Sequence, residues 1–345
     1  MRSLLTGLCL ILLTACRDQS IPDVSAIPVS LELVRFEDDF FALDITNLSA
    51  SLEQLKQRHP GFSNDFIQHI LGLDEATMDH SSIEAAIRKF IADYRGLYDS
   101  SKNRFTDLAK IKTDIEGSLR FVRHYFPDYT LPKRFISYIG PIDAYYQASL
   151  GGYSDVLTMS GLACGLQLHL GADFSMYQSS IGQSLYPGYI SRRFTPNTIA
   201  VNAIKNIIDD IYPEDVSGKV LIDQMVEKGK RLYVLDKLMP YTPDTLKIGY
   251  TERQWKGCQE NEGAIWNFFI TNGLLLKNDP SLIRNYINDG PKTPELGDAS
   301  PGYIGLFTGW QIVKAYMRSH QETSPAMLLK VPPRQIYEES KYRPK

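Results

Sequence analysis

The 345-residue sequence lacks the short motifs that mark the common enzyme classes. It has no GxSxG nucleophile elbow, no GxxxxGK[ST] phosphate-binding loop, no CxxC pair and no HExxH zinc motif. No two histidines stand three or four positions apart, the spacing at which a helix presents two zinc ligands; the histidines are His59, His69, His80, His124, His169 and His320. The sequence therefore predicts no catalytic residues, no metal ion and no other cofactor.

An excess of positive charge is also missing. Lys and Arg number 37 against 40 Asp and Glu, which gives a formal net charge of −3, and the pI is about 6.1. No basic stripe interleaved with aromatic residues is present. These features exclude nucleic-acid binding as the predicted function.

Cysteine is scarce, with four in the whole chain. Cys9 and Cys16 belong to an N-terminal export region, which leaves Cys164 and Cys258 for the folded part. An exported compartment would allow these two to pair, but a single pair gives no framework signature. A disulfide and two buried thiols therefore both stay open.

Long hydrophobic runs are absent except for residues 4–13, and this run is shorter than the roughly 20 residues of a spanning helix. Arg2 precedes the run and Leu13-Thr14-Ala15-Cys16 ends it, which is typical of a bacterial lipoprotein signal. We predict a signal peptide at 1–15, acylation of Cys16 as an anchor in the lipid bilayer, and a tether at 16–28. A cleaved signal without a lipid is the alternative.

Residues 29–345 are predicted to form a single globular domain, since 43% hydrophobic and 22% charged residues are typical of globular proteins. Helical spacing dominates up to about residue 132, with helices at 46–58, 64–71, 82–98 (capped by Ser81 or Ser82) and 105–126. Strands and helices follow in 133–320. The predicted fold class is a mainly helical α+β domain with a small antiparallel or mixed sheet in the middle.

The predicted strands lie at 29–36, 134–139, 156–159 and 162–170. In the last of these, Gln167 and His169 alternate with three leucines. Because successive side chains of a strand point to opposite faces, these two polar side chains are predicted to be solvated. The sheet would then have one buried side.

Two central helices are predicted at 196–211, started by Thr195 and Pro196, and at 218–239. Four isoleucines share one face of the first helix, while Asn202, Asn206 and Asp209 lie on the opposite face. That polar face is either exposed or the floor of a cleft. Further helices are predicted at 252–276, at 280–287 and, as the last one, from Ser300 onward, where three glycines at 302, 305 and 309 allow close packing.

Several distinctive segments follow one another in a fixed order: LLTAC, RFEDDF, RRFTPNTI, LIDQMVEKGKRLYVLDKLMP, DTLKIGYTERQ, NEGAIWNFFI, YINDGPKTPELGDASPG and GYIGLFTGWQIVKAYM. In these segments, from residue 12 to 317, the chain resembles the GldB family of gliding motility lipoproteins of Bacteroidetes. The resemblance implies a palmitate-bearing lipoprotein of the cell envelope, facing the periplasm from the inner or the outer membrane. Its implied partners are the bilayer, through Cys16, and unidentified envelope or motility proteins associated with type IX secretion.

The body is also similar, more distantly, to zinc metallopeptidases of the gluzincin type. The resemblance places Asn202 and Asn206 where those enzymes have the two histidines of HExxH, Ala203 where they have the glutamate, and Lys228 at the third ligand. A shift of one position would offer Glu227 instead. Asparagine is a poor zinc ligand and alanine cannot activate water. The resemblance therefore implies a peptidase architecture without catalysis.

Two other functions stay open at the level of sequence. One is a zinc hydrolase with relocated ligands, for which His124, His169 and Glu227 are the candidates. The other is a lipoprotein that binds peptide, glycan or protein on the strand predicted at 162–170.

Overall fold

The structure, a computed structural model, describes residues 21–143 and 154–344. The predicted signal and Cys16 lie outside the described residues. Within them, no helix combines the length and the apolar character needed to cross a membrane. Of the predicted tether, the described residues 21–28 contact the body at two points: Val24 is buried, and Arg120 donates a hydrogen bond to the carbonyl of Ile27.

A mixed sheet occupies the middle of the described chain. Its strands are β1 (Glu32–Arg35), β2 (Arg134–Tyr138), β3 (Asp155–Thr158) and β4 (Gly161–Gly165), in the order β1-β2-β4-β3. The pairs β1–β2 and β2–β4 are parallel, and β3–β4 is antiparallel. β4 therefore lies between two strands, and all of its residues are buried.

Helices account for most of the remaining described residues, which confirms the mainly helical α+β class. The first group precedes β2: α1 (Phe36–Phe41), α2 (Leu48–Arg58), α3 (Phe62–Asn64, continued by a π-helix at Asp65–Ile70), α4 (His80–Arg104) and α5 (Ala109–Tyr125). The second group follows β4: α6 (Ser175–Gln178), α7 (Ser180–Leu185), α8 (Gly188–Ser191), α9 (Ile199–Ile211), α10 (Leu221–Leu238), α11 (Asp244–Ile248), α12 (Glu252–Glu260), α13 (Glu262–Thr271), α14 (Pro280–Ile287), α15 (Ile304–Ser319), α16 (Pro325–Lys330) and α17 (Pro333–Ser340).

Several predicted helix ends were wrong. Asp79, rather than a serine, caps α4, because its carboxylate accepts a hydrogen bond from the amide of Ser82. Gly218 adopts a positive φ of 68°, so α10 begins only at Leu221. The helix predicted at 252–276 is divided at Asn261 into α12 and α13. The helix predicted from Ser300 begins at Ile304 and is followed by α16 and α17.

The strand predicted at 162–170 ends at Gly165, and a 3₁₀ turn, Leu166–Leu168, follows it. Gln167 and His169, predicted to be solvated, are buried at 1% and 2% exposure. The alternation of polar and apolar residues therefore has another cause: both polar side chains make hydrogen bonds inside the protein.

The closest helix packing joins α10 to α15. A Cβ added at Gly309 would lie 1.8 Å from the carbonyl oxygen of Met225, and one added at Gly229 would lie 2.3 Å from the carbonyl carbon of Gly309. The two backbones thus touch without an intervening side chain. This confirms the close contact predicted from the glycines of α15.

Candidate functional site

The antiparallel pair β3–β4 brings a carboxylate next to a thiol. Asp155 and Cys164 are Cα partners in the register, so their side chains lie on the same face of the sheet. Both side chains are buried, and the thiol donates a hydrogen bond toward the carboxylate of Asp155. Burial is the larger cause and the charge of Asp155 the next, and both raise the pKa of Cys164 well above its usual value.

The 3₁₀ turn after β4 directs His169 back to the same place. Its Nε2 lies 3.0 and 2.9 Å from the two carboxylate oxygens of Asp155. Its Nδ1 lies 3.2 Å from the carbonyl oxygen of Thr195 and 3.3 Å from the hydroxyl of Thr198. Sequence spacing does not predict this group, because His169 lies 14 positions and Cys164 lies 9 positions after Asp155. Only the hairpin and the turn bring them together.

Helix α9 closes the group from the other side through two asparagines. The amide of Asn202 donates to Asp155 Oδ2 at 2.7 Å, and the amide of Asn206 donates to the main-chain carbonyl of Asp155 at 2.9 Å. Asn202 is only 9% exposed. The interpretation of this face as exposed was therefore wrong at Asn202, which faces the sheet.

The metal position that the metallopeptidase resemblance implies does not fit the residues present. Asn202 and Asn206 direct their amide N–H groups at Asp155, and Ala203 offers no donor atom. On α10, Lys228 forms an ion pair with Glu214 at 2.7 Å, so a cation occupies the place of the third ligand. A zinc ion held by these positions would lack imidazoles altogether.

The relocated candidates are not assembled into one site either. Glu227 forms ion pairs with Lys230 and Lys219, at 2.9 and 3.6 Å. The ring of His124 contacts Tyr125. Of these three candidates, only His169 belongs to the buried group around Asp155.

A small cavity of about 20 Å³ adjoins this group. Its lining includes His169, Asn202, Thr198, Lys205 and Arg193, and Arg193 forms an ion pair with Asp289. A volume of this size accommodates one water molecule. Lys205 brings a second titratable group to this lining.

Lys205 is 5% exposed, and burial lowers its pKa from 10.5 to about 7, with a smaller contribution from the charge of Arg193. Between pH 7 and 10.5 the unfolded chain thus binds a proton that the folded protein does not. The free energy of unfolding consequently rises with pH across this window. Below pH 7 both states are protonated and the dependence ends.

We expect Lys205→Met to stabilise the protein most at pH 6, and to lose about 2–3 kcal/mol of that gain by pH 9, because each pH unit in the window is worth about 1.4 kcal/mol. Urea unfolding of both proteins at several pH values measures the difference. Lys89→Met, at a lysine 76% exposed, is the control and should show no such trend. A gain that does not change with pH would contradict the prediction.

Cys164 and Cys258 are both buried and free, so of the two alternatives for this pair, the structure has two buried thiols rather than a disulfide.

The strand surface predicted to bind peptide, glycan or protein is not available. Residues 162–170 are all buried, and β4 is paired on both edges.

Comparison with known proteins finds a matching family. The model of the family described as gliding motility protein GldB matches residues 17–344. No curated protein and no solved structure matches the chain. The similarity to gluzincin peptidases therefore stays a prediction.

Proposed function

Since the chain belongs to the GldB family of gliding motility lipoproteins, as its sequence indicated, we propose that it is a lipid-anchored, noncatalytic envelope protein. In this proposal Cys16 carries the acyl chains, the body faces the periplasm, and the protein supports the machinery of gliding and type IX secretion. The family match over nearly the whole chain is the observation that carries it. The anchor and the role without catalysis each need their own test.

The noncatalytic part of the proposal is supported by the geometry around α9. The asparagines at positions 202 and 206 are engaged with Asp155, and the adjoining cavity of about 20 Å³ has no room for a peptide bond with its flanking residues. A hydrolase needs an open ligand position and a base that reaches the attacking water. Binding to partner proteins needs neither.

The anchor is tested in a host that glides. A deletion strain should lose gliding, and Cys16→Ala should fail to restore it and should leave the protein out of the membrane fraction, because the thiol that takes the lipid is gone. Cys9→Ala is the matched control, since Cys9 lies within the predicted signal, and it should restore gliding fully. Normal gliding of the deletion strain would refute the function, and membrane-bound Cys16→Ala protein would refute the anchor.

The absence of catalysis is tested in the same strain. Lys205→Met removes a lysine of the cavity lining whose pKa burial lowers to about 7, and it keeps a side chain of similar length. We expect this variant to restore gliding and type IX secretion at the level of the native protein. Loss of both with a normally folded variant would favour acid–base chemistry at this site instead.

A further inference from the structure

The buried group around Asp155 combines the ligand types that zinc prefers in proteins. One carboxylate oxygen of Asp155, Sγ of Cys164 and a ring nitrogen of His169 all lie within 4.8 Å of one another, and all three side chains are buried. We infer that these three residues bind a divalent cation of the zinc class. None of them occupies a position that the metallopeptidase resemblance singled out, so this is a different site.

The hydrogen bonds of His169 support the site independently of the distances. With its proton on Nδ1, the ring donates to the carbonyl of Thr195 at 3.2 Å, with the hydroxyl of Thr198 as a second neighbour. The lone pair of a neutral ring is then on Nε2, which faces both oxygens of Asp155 at 2.9 and 3.0 Å. Two electron-rich atoms at this distance require a proton or a cation between them.

Metal-binding histidines show this same pattern. Their second ring nitrogen usually donates to a backbone carbonyl or a carboxylate, which fixes the tautomer and the ring plane. Asp155 has matching support, because Asn202 donates to its carboxylate and Asn206 to its carbonyl. Ligands and supporting groups are thus both in place.

The chemistry of the donors favours zinc over magnesium or calcium, which prefer sites made of oxygen alone. In a tetrahedral zinc site the ligand atoms stand roughly 3.3–3.6 Å apart. The gap between His169 and Asp155 would open by a few tenths of an ångström to reach this spacing. The adjoining cavity has space for a water molecule as fourth ligand.

Binding also balances the charge of the ligands. When the thiol proton of Cys164 passes to solvent, the thiolate and the carboxylate of Asp155 carry two negative charges, which a doubly charged cation neutralises. Glu37, the other buried carboxyl that acts on Cys164, is already bound by Arg35 and Ser137, so it is not counted among the ligands. The site would join the β3–β4 hairpin to the turn before α9, a structural role compatible with a protein that lacks catalysis.

The test uses the full-length protein, purified with its anchor in detergent, stripped by chelation and then dialysed against trace Zn²⁺ or Co²⁺. We expect about one metal per chain by elemental analysis, and a thiolate-to-cobalt charge-transfer band in the near ultraviolet. Cys164→Ser should abolish the band, and it and His169→Gln should each weaken binding by at least about 100-fold, since even groups outside the ligand shell cost roughly 10–100-fold. Asn202→Ala, a milder change, should cost about 10-fold.

Cys258→Ser is the matched control, because Cys258 is also a buried free thiol and, among the residues that the structure describes, joins no such group of carboxylate and imidazole. It should bind metal like the native protein. Failure of the native protein to retain metal would overturn the inference, as would equal retention by Cys164→Ser and His169→Gln. If those two variants do not fold, the cobalt band of the native protein decides: its presence supports the site and its absence refutes it. None of these measurements depends on gliding.

Discussion

Replacing Gly309 by alanine is expected to lower the free energy of unfolding by about 3 kcal/mol, at the upper end of the cost of overpacking a core. The added Cβ would lie 1.8 Å from the carbonyl oxygen of Met225. That atom belongs to the backbone of α10, so no side chain can rotate away, and α10 and α15 must separate. Denaturant unfolding monitored by circular dichroism measures the loss.

Gly96→Ala is the control for this prediction. Gly96 lies in α4 with no atom within 4 Å of an added Cβ, and alanine there should stabilise the protein by about 0.5–1 kcal/mol. The two substitutions are chemically identical and have opposite expected signs. A cost below about 1 kcal/mol at Gly309 would show that the two helices tolerate separation and that their contact is not tight.

Replacing Glu227 by alanine is expected to cost about 3–5 kcal/mol, because it leaves a buried ammonium without its carboxylate. Lys230 is fully buried, lies 2.9 Å from Glu227 and donates to the carbonyls of Leu329 and Val331. Burial already lowers the pKa of Lys230. Without Glu227 the contact between α10 and the segment after α16 should weaken. Urea unfolding again gives the magnitude.

Two further variants test whether the cost of Glu227→Ala comes from the unpaired ammonium of Lys230 or from the loss of any charge pair. In the double variant Glu227→Leu with Lys230→Met, stability should return to within about 2 kcal/mol of the native protein, since apolar pairs often replace buried ion pairs at little cost. Glu260→Ala, which breaks an exposed pair with Lys256, should change stability by less than about 0.5 kcal/mol. A double variant as unstable as Glu227→Ala would mean that Glu227 acts through its packing.

The helices around the site could largely be predicted from the sequence. The spacing of the isoleucines and Pro196 located α9, and the periodic apolar residues located α10, to within three residues at each end. These signals are local, and burial of one helix face produces them directly. The family could also be recognised, because its segments are distinctive and keep their order.

The site itself could not be predicted. The alternation of polar and apolar residues at Gln167 and His169 predicted a strand with one exposed face. In the structure β4 lies between two other strands, and both polar side chains form hydrogen bonds inside the protein. Sequence periodicity reports how apolar a face is, and it does not report whether a polar side chain finds a partner inside. Asp155 was not predicted as a site residue for the same reason. Its pairing with Cys164 follows from the short hairpin that joins β3 to β4.

At each edge of the sheet a side chain binds a main-chain group. Glu116 accepts a hydrogen bond from the amide of Leu31, next to β1, and Asn206 donates to the carbonyl of Asp155 on β3. Unpaired edge groups would otherwise offer a template for a strand of another molecule. Lipoproteins held in one leaflet meet one another in two dimensions, where encounters are frequent and orientations are shared. Side chains that occupy main-chain groups at both edges leave fewer of them for pairing between two such molecules on the membrane surface.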